Sequence, residues 1–396
     1  MLKNISPSVG KKLFPIGTIL FWLALYVYVP ILPSYAELLG HSLTLVGFVV
    51  GAYGFAQLLF RFPVGIWSDK SGKRKPFVLS GFVLAFASCI GLALSPNALS
   101  LLVFRALSGV AASMWVVFSV LYSSYFREDQ TPRAMSQITF CIGVAQMIGT
   151  YSGGKIADAY GWVAPFYVGA GLTVLGALFM LPAPETSSEN RTPFSRQRLL
   201  SIASNRRLLT VSIITSLSQF SVFITVYGFL PIYVNGIGAT KSDLGALMSV
   251  SLLCQTVSML VTGTIVVPRI GYKATVGTAY ITIACATFLT PYIQSLRILF
   301  LVQGLGALGR GLAYPVLMGL AIQGMPKEEK ATAMGFFQAV YSIGMFVGPA
   351  SGGFIGDHLS LRAIFFCAGI VYLIATVMSI SMLPRQKEAH NGKADL

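Results

Sequence analysis

Apolar positions in this chain neither alternate nor trace a single stripe. They come in long, almost unbroken runs, cut at short intervals by glycine, proline, serine and small clusters of charge. Twelve runs can be drawn, at 14–35, 43–66, 77–95, 98–122, 134–156, 163–182, 209–233, 243–267, 272–292, 296–324, 331–356 and 362–383. A helix rises about 1.5 Å per residue, so about 20 residues cross a hydrocarbon layer about 30 Å thick. Runs that are apolar on all sides predict helices in lipid, not helices with one face on a soluble core. The pattern therefore predicts an all-α integral membrane protein with twelve transmembrane helices. Breaks such as Ser95-Pro96-Asn97 and Tyr160-Gly161-Trp162 leave room only for tight turns. One longer polar stretch, Pro182 to Leu208, divides six runs from six. The expected organisation is an N-terminal bundle at 1–182, a linker at 183–208, and a C-terminal bundle with a short tail at 209–396.

The two halves repeat. At an offset of 198, Pro33, Tyr35, Gly40, Gly47, Gln57 and Gly65 match Pro231, Tyr233, Gly238, Gly245, Gln255 and Gly263. At 199, Ala134-Met135, Gly149, Gly153-Gly154, Asp158 and Phe166 match Ala333-Met334, Gly348, Gly352-Gly353, Asp357 and Phe365. A period near half the chain length predicts two pseudo-symmetric six-helix bundles.

Composition agrees with this picture: 55% of residues are hydrophobic and 10% charged, against about 25% charged in soluble domains. The net charge is +15. With the N-terminus inside, the inner segments hold 21 of the 28 Lys/Arg. That asymmetry places both termini in the cytoplasm and explains the basic balance without nucleic acid. The run from Phe14 is longer than a signal-peptide core and no small-residue cleavage site follows, so it reads as a retained first span. The five cysteines sit in apolar runs without metal or disulfide spacing. No H-E-x-x-H, CxxC or Walker A pattern occurs, and His41, His358 and His390 lie at helix ends or in the tail. The reading is a non-enzyme with no cofactor, metal or ATP drive.

The most informative short stretch joins the second and third runs. Gly65, Asp69, Gly72, Lys73 and Arg74 read as G-x-x-x-D-x-x-G-[KR]-[KR]. The glycines permit sharp backbone turns, Asp69 can accept from helix-end amides, and the cations hold the turn inside. This stretch resembles the loop between helices 2 and 3 of the major facilitator superfamily. Pro30-Ile31-Leu32-Pro33 resembles the V-P-x-L-P pattern of its twelve-span drug:proton antiporter branch. Arg105-Ala106-Leu107-Ser108-Gly109 resembles its R-x-x-x-G. Gly344, Gly348, Pro349, Gly352 and Gly353 fit G-x-x-x-G-P-x-x-G-G, a helix-packing motif that antiporters carry in span 5. Here span 5 has Thr150 where that motif has proline. The resemblance covers essentially the whole chain. It implies a monomeric multi-pass carrier in the cell membrane, bacterial cytoplasmic by type. Its small-molecule site would lie between the bundles, protons would be the coupling ion, and the Gly65–Arg74 turn would be a conformational switch.

Ionisable groups inside spans are the first candidates for chemistry, because a central charge costs at least about 2.5–3.5 kcal/mol. Arg105 and Arg310 are candidates for substrate binding or coupling. Arg61 lies near the inner end of its run and is expected to snorkel to the surface. No Asp or Glu lies mid-run. The nearest carboxylates are Glu37 and Asp69, the leading coupling candidates, and Asp158, Asp243 and Asp357 at outer ends; for each of the five a helix-capping or solvated role is the competing reading. Spans that the resemblance assigns to the cavity carry Tyr26, Trp115, Gln219, Tyr227, Gln303, Tyr314, Gln338 and Tyr341. Apolar walls with a few polar handles suit lipophilic or amphipathic compounds. Export of such compounds is the leading expectation. Uptake or exchange of an organic anion on the arginines is the alternative, and a non-transporting receptor is the alternative of another class.

Overall fold

The computed structural model describes residues 7–384 apart from 41, 128–129, 186–201, 203 and 327–328. Most of the expected linker, together with His41 and His390, lies outside the described residues.

Twelve helical spans follow one another within a few residues of the apolar runs. In the first half they are α1 (Pro7–Tyr26, resuming at Leu32–Leu38), α2 (Leu43–Ser71), α3 (Lys75–Ala93), α4 (Ala98–Ser113, resuming at Trp115–Ser123), α5 (Thr131–Tyr160) and α6 (Ala164–Met180). In the second half α7 runs Arg206–Ile224, loosens over Thr225–Phe229 and resumes at Leu230–Gly236. It is followed by α8 (Lys241–Val261, extended by a wide turn at Thr262–Val266), α9 (Val267–Leu289), α10 (Leu296–Ile322), α11 (Lys330–His358) and α12 (Leu361–Met382). By length and apolarity alone, nine helical segments among the described residues qualify as spans, one of which, 241–292, takes in both α8 and α9. The more polar α5 and the shorter α6 take their places by packing.

Interruptions inside helices fall where the backbone loses a donor. Pro33 cannot bond back to Val29, and α1 opens into turns between Tyr26 and Leu32. Its repeat partner Pro231 cannot bond back to Tyr227, and α7 widens to π geometry there. A proline ring clashes with the carbonyl four residues earlier, so each helix yields just upstream. The repeat also extends to backbone handedness. Gly40 and Gly238 have φ +79° and +85°, and Gly72 and Gly271 have +65° and +78°.

Between helices in lipid there is little hydrophobic drive, so association rests on close backbone approach. In the N-terminal half α1 packs on α5 and α6, α2 on α4, and α3 on α6. In the C-terminal half α7 packs on α11 and α12, α8 on α10, and α9 on α12. The α11 motif shows why glycine is needed. A Cβ at Gly344 or Gly348 would run into the Ser216 or Phe220 carbonyl of α7, and one at Gly352 into Ile224. Gly353, one residue on, faces the Leu43 carbonyl of α2. Spacings of four thus fit α7 while the next position fits α2. The halves meet along α2–α11 and α5–α8.

Candidate functional site

At the middle of the bundle, tyrosines from both halves converge. Tyr26 of α1 and Tyr53 of α2 lie near Tyr227 of α7, while Tyr314 of α10 and Tyr341 of α11 interact with each other. Two guanidinium groups are set among them. Arg105 of α4 lies over the Tyr53 ring at 4.4 Å and the Tyr28 ring at 5.7 Å. It donates to the Tyr28 hydroxyl at 3.4 Å and to Ser108 Oγ at 3.3 Å. Arg61 is 8% exposed and crosses between the halves. Its Nη1 donates to Gln338 Oε1 at 2.9 Å and to the Tyr341 hydroxyl at 2.8 Å, and its Nη2 donates to Gln57 Oε1. The Tyr341 ring lies 5.6 Å away.

Arg61 therefore does not snorkel. The reason is length: α2 continues to Ser71, about 15 Å of helix beyond Arg61, which is out of reach for its side chain. Neither arginine bonds a carboxylate among the described residues. Three buried donors here have no partner among the described residues: Gln57 Nε2, Arg61 Nε and Arg105 Nε. The centre is thus cationic, aromatic and rich in donors, which is the complement of an acceptor-bearing aromatic ligand.

Some sequence candidates sit elsewhere. Trp115 meets Trp22 edge-on at 6.2 Å, within the N-terminal bundle. Gln219 is half-buried on α7 and makes no hydrogen bond to a described residue. Gln303 Nε2 donates to Thr290 Oγ1 at 2.9 Å. With Arg310 it lines a small cavity walled only by the C-terminal helices α7, α9, α10 and α12. Arg310 and Gln303 therefore share a cavity of the C-terminal bundle, next to Tyr227 of the centre. Gly309 and Gly311 bring this about: a Cβ at Gly309 would strike Ile283 and the Ala279 carbonyl of α9, and one at Gly311 the Gln255 carbonyl of α8.

The two ends of the bundle differ. At the end away from the linker, each half clamps the other. Asp357, at the end of α11, accepts from the Leu43 and Thr44 amides of α2, both at 2.9 Å. Asp158, at the end of α5, accepts from the Lys241 and Ser242 amides of α8 at 3.1 and 2.7 Å. Each carboxylate thus caps the first turn of a helix in the opposite half, where the dipole favours an anion. Below the clamps, Thr150 Oγ1 and Ser249 Oγ lie 2.8 Å apart across α5–α8. Asp243 instead closes a local capping box with Thr240. Glu37 is half-buried nearby, and burial raises its carboxyl above the usual value.

Partial burial alone would raise the Asp158 carboxyl. Hydrogen bonds from Ser242 and Lys241 outweigh it, and the net shift is downward. A lowered pKa means stabilisation present above the ordinary carboxylate value and lost as pH falls through the lowered one. The clamp is therefore expected to hold at pH 5, well above the ordinary Asp value of about 3.9. Asp158→Asn with Asp357→Asn is expected to loosen this end at every pH from 5 to 8. Labelling of a single cysteine introduced at Ser249 measures it; equal labelling in the double variant would remove the clamps from the account.

At the linker end, Gly72 turns the chain in the left-handed region and donates its amide to the Asp69 carbonyl at 3.3 Å. The Asp69 carboxylate is exposed and accepts no hydrogen bond from a described residue. Lys73 is exposed, and Gly65 has Val116 at a comfortable distance. The amides of Arg74 and Lys75 open α3 and both donate to the Glu185 carboxylate at 2.9 Å. Lys75 Nζ donates to the Leu181 carbonyl at 2.5 Å. The far end is thus tied shut across the halves, while Asp69 at the linker end faces the Arg74 charge of its own turn and makes no hydrogen bond across the halves among the described residues.

A family model described as the Major Facilitator Superfamily matches residues 16–266 and 228–396. The chain belongs to the Major Facilitator Superfamily. It is 24% identical over 369 residues to an uncharacterized MFS-type transporter of Methanocaldococcus jannaschii, a match covering 90% of this chain and 93% of that protein. It is 28% identical over 176 residues to the quinolone resistance protein NorA of Staphylococcus aureus, covering 43% of this chain and 45% of NorA. The crystal structure of a point mutant of the nucleoside transporter NupG has the same fold, with TM-score 0.78 at 14% identity, covering 94% of this chain and all of that one. The protein is accordingly a membrane transporter of this superfamily and not an enzyme.

Several residues that position this superfamily member's site were not singled out from sequence. Tyr53 and Tyr28 face Arg105, Gln57 holds Arg61, and Glu185 caps α3. The signal for Gln57 was present, since it repeats as Gln255. The clamp aspartates also repeat, and Leu43 and Lys241, whose amides they hold, stand at the matching offset of 198. Glu185 lies in a polar stretch without periodicity, and nothing there marks it.

Proposed function

We propose that this transporter is a secondary carrier that exports amphipathic aromatic compounds by alternating access, with a preference for those bearing an acidic group. The observation that carries this reading is the pairing of Arg61 and Arg105 with converging tyrosines and unused buried donors. Buried cations without a carboxylate partner favour an anionic ligand over a cationic one. The tyrosine faces supply broad stacking area. The direction of transport rests on the Pro30–Pro33 and Gly65–Arg74 motifs and on the similarity to NorA. The second reading is uptake or exchange of an organic anion, favoured by the same arginines.

The moving bodies in this proposal are 1–182 and 209–396, which rock about the central site as a monomer in the cell membrane, with both termini cytoplasmic. The linker end then faces the cytoplasm, and the conformation described is the one tied shut at the opposite end. Proton coupling would run through end carboxylates such as Glu37 and Asp69. Asp69 acts in the other state, closing the cytoplasmic end by contacts made only there. Asp69→Asn is expected to leave the thermal stability of the described state within about 0.5 kcal/mol while transport falls at least about 10-fold. Unaltered transport would take the turn out of the mechanism.

The test of function is uptake into proteoliposomes under imposed pH and voltage gradients. Aromatic carboxylates are compared with aromatic amines of similar size. Carboxylates are expected to be carried better, and Arg105→Gln is expected to cut that preference about 10–100-fold, the range for a hydrogen-bonded charge. Better transport of amines by the unaltered protein would overturn the reading.

A further inference from the structure

Arg310 poses a separate problem. It stands mid-helix in α10, half-buried among the helices of the C-terminal bundle, and makes no hydrogen bond or ion pair with any described residue. A guanidinium does not release its proton in a protein. A charge in this position is costly unless an opposite charge or a polar shell compensates it. The chain supplies no carboxylate mid-span, since its 13 Asp and Glu all lie in loops or near span ends.

What surrounds Arg310 is a small cavity that it lines together with Thr225, Thr287, Thr290, Gln303 and Tyr372. The space admits about one water-sized sphere. It is too small for a drug-sized ligand, and every residue lining it belongs to the C-terminal half. Its lining is mainly polar, with Val226, Ile283 and Phe365 among its apolar members. Gln303 spends one amide proton on Thr290 Oγ1, and its NH2 group has a second to offer. The threonine hydroxyls bond to carbonyls one turn back in their own helices, Thr225 to Ser221, Thr287 to Ile283 and Thr290 to Ala286. Their rotors can turn toward an acceptor. The π turn at Thr225–Phe229 sets the Thr225 side of the wall.

We infer that this cavity is a binding site for a single halide-sized anion, chloride in solution, held by the Arg310 guanidinium and the Gln303 amide. The anion supplies the countercharge that the chain lacks. It bridges α7, α9, α10 and α12, and so fixes the C-terminal bundle as a unit. It also sets the potential at Tyr227, which interacts with Arg310 on one side and with Tyr26 of the other half. The site is distinct from the central one, and its test needs no transported substrate.

The experiment is thermal unfolding of the purified full chain in detergent, with sodium gluconate replaced stepwise by chloride, bromide or acetate at constant ionic strength. The expected result is a saturable rise in Tm of about 2–4 °C with chloride and bromide, little rise with acetate, and no halide dependence in Arg310→Gln. Arg105→Gln is expected to keep the wild-type dependence, which separates this site from the central arginines. If Arg310→Gln does not fold, Gln303→Leu carries the test and is expected to raise the half-saturating chloride concentration several-fold. A Tm indifferent to halide in the unaltered protein overturns the assignment. So does a halide response unchanged in the variants. Equal stabilisation by acetate would assign the cavity to a carboxylate and overturn the halide.

Discussion

Leucine at Gly47 or Gly245 is expected to force the far end of the protein open. The two positions are repeat partners, and each is pressed against backbone of the opposite half. A Cβ at Gly47 would run into the Pro349 carbonyl of α11, and one at Gly245 into the Thr150 carbonyl and the Gly154 backbone of α5. Backbone in mid-helix cannot move aside as a side-chain tip can, so the strain falls on the contact between halves. Overpacking of this kind costs about 1–3 kcal/mol, which shifts a two-state equilibrium about 5–150-fold. The contact is lost when this end opens, so the cost is relieved by opening rather than by unfolding. A cysteine introduced at the buried Ser249, in a background lacking the native cysteines, is expected to react with an impermeant maleimide about 10-fold faster in either variant. Gly143→Ala serves as the control, because an added Cβ there meets nothing within 4 Å. Labelling no faster than the control would mean that the α2–α11 and α5–α8 contacts do not hold the far end closed.

The second large effect is expected at Arg61. Its guanidinium joins Gln57 of α2 to Gln338 and Tyr341 of α11, so it ties the halves together at the level of the site. Arg61→Met keeps the apolar stem but leaves three polar partners facing a thioether. Hydrogen bonds to a charged group contribute about 1.5–3 kcal/mol each. Part of that loss is offset because no charge need then be buried. A fall in affinity for an aromatic carboxylate of about 10–100-fold is the expected net result, read by equilibrium binding to purified protein. Arg61→Lys is expected to recover little, because an ammonium cannot span partners set at the fork of a guanidinium. Binding equal to wild type in Arg61→Met would show that the arginine is only a strut between helices.

How much of this could be read in the sequence depends on which property is asked for. All twelve spans were legible, because a helix in lipid must be apolar for about 20 residues and must end in turn-forming residues. The pairing of halves was legible through Gly47 with Gly245 and Asp158 with Asp357. What the sequence hid was the direction in which each side chain points. A helix apolar all round has no polar face to orient it, so Arg105 and Arg310 looked equivalent, yet one lies over the Tyr53 ring and the other lines a cavity of the C-terminal helices beside Tyr227. Arg61 was misplaced for a related reason: the apolar run stops at Ile66, whereas the helix continues through the polar turn to Ser71. For the clamp aspartates the sequence leaves a cap or a solvated group open; each is a cap, but the helix it caps belongs to the other half, and no local pattern records that. Thr150 stands where the span-5 motif has proline, and its hydroxyl meets Ser249 across the interface.

Alternating access is the claim on which the account rests, and paired distance measurements test it most directly. One spin-label pair is placed at the far end, on Tyr160→Cys and Leu359→Cys. A second pair is placed at the linker end, on Lys70→Cys and Arg269→Cys, with all four positions exposed. The account predicts that Gly47→Leu lengthens the far-end distance and shortens the linker-end distance in the same population. Distances that stay fixed in both pairs, or that lengthen together, would contradict it.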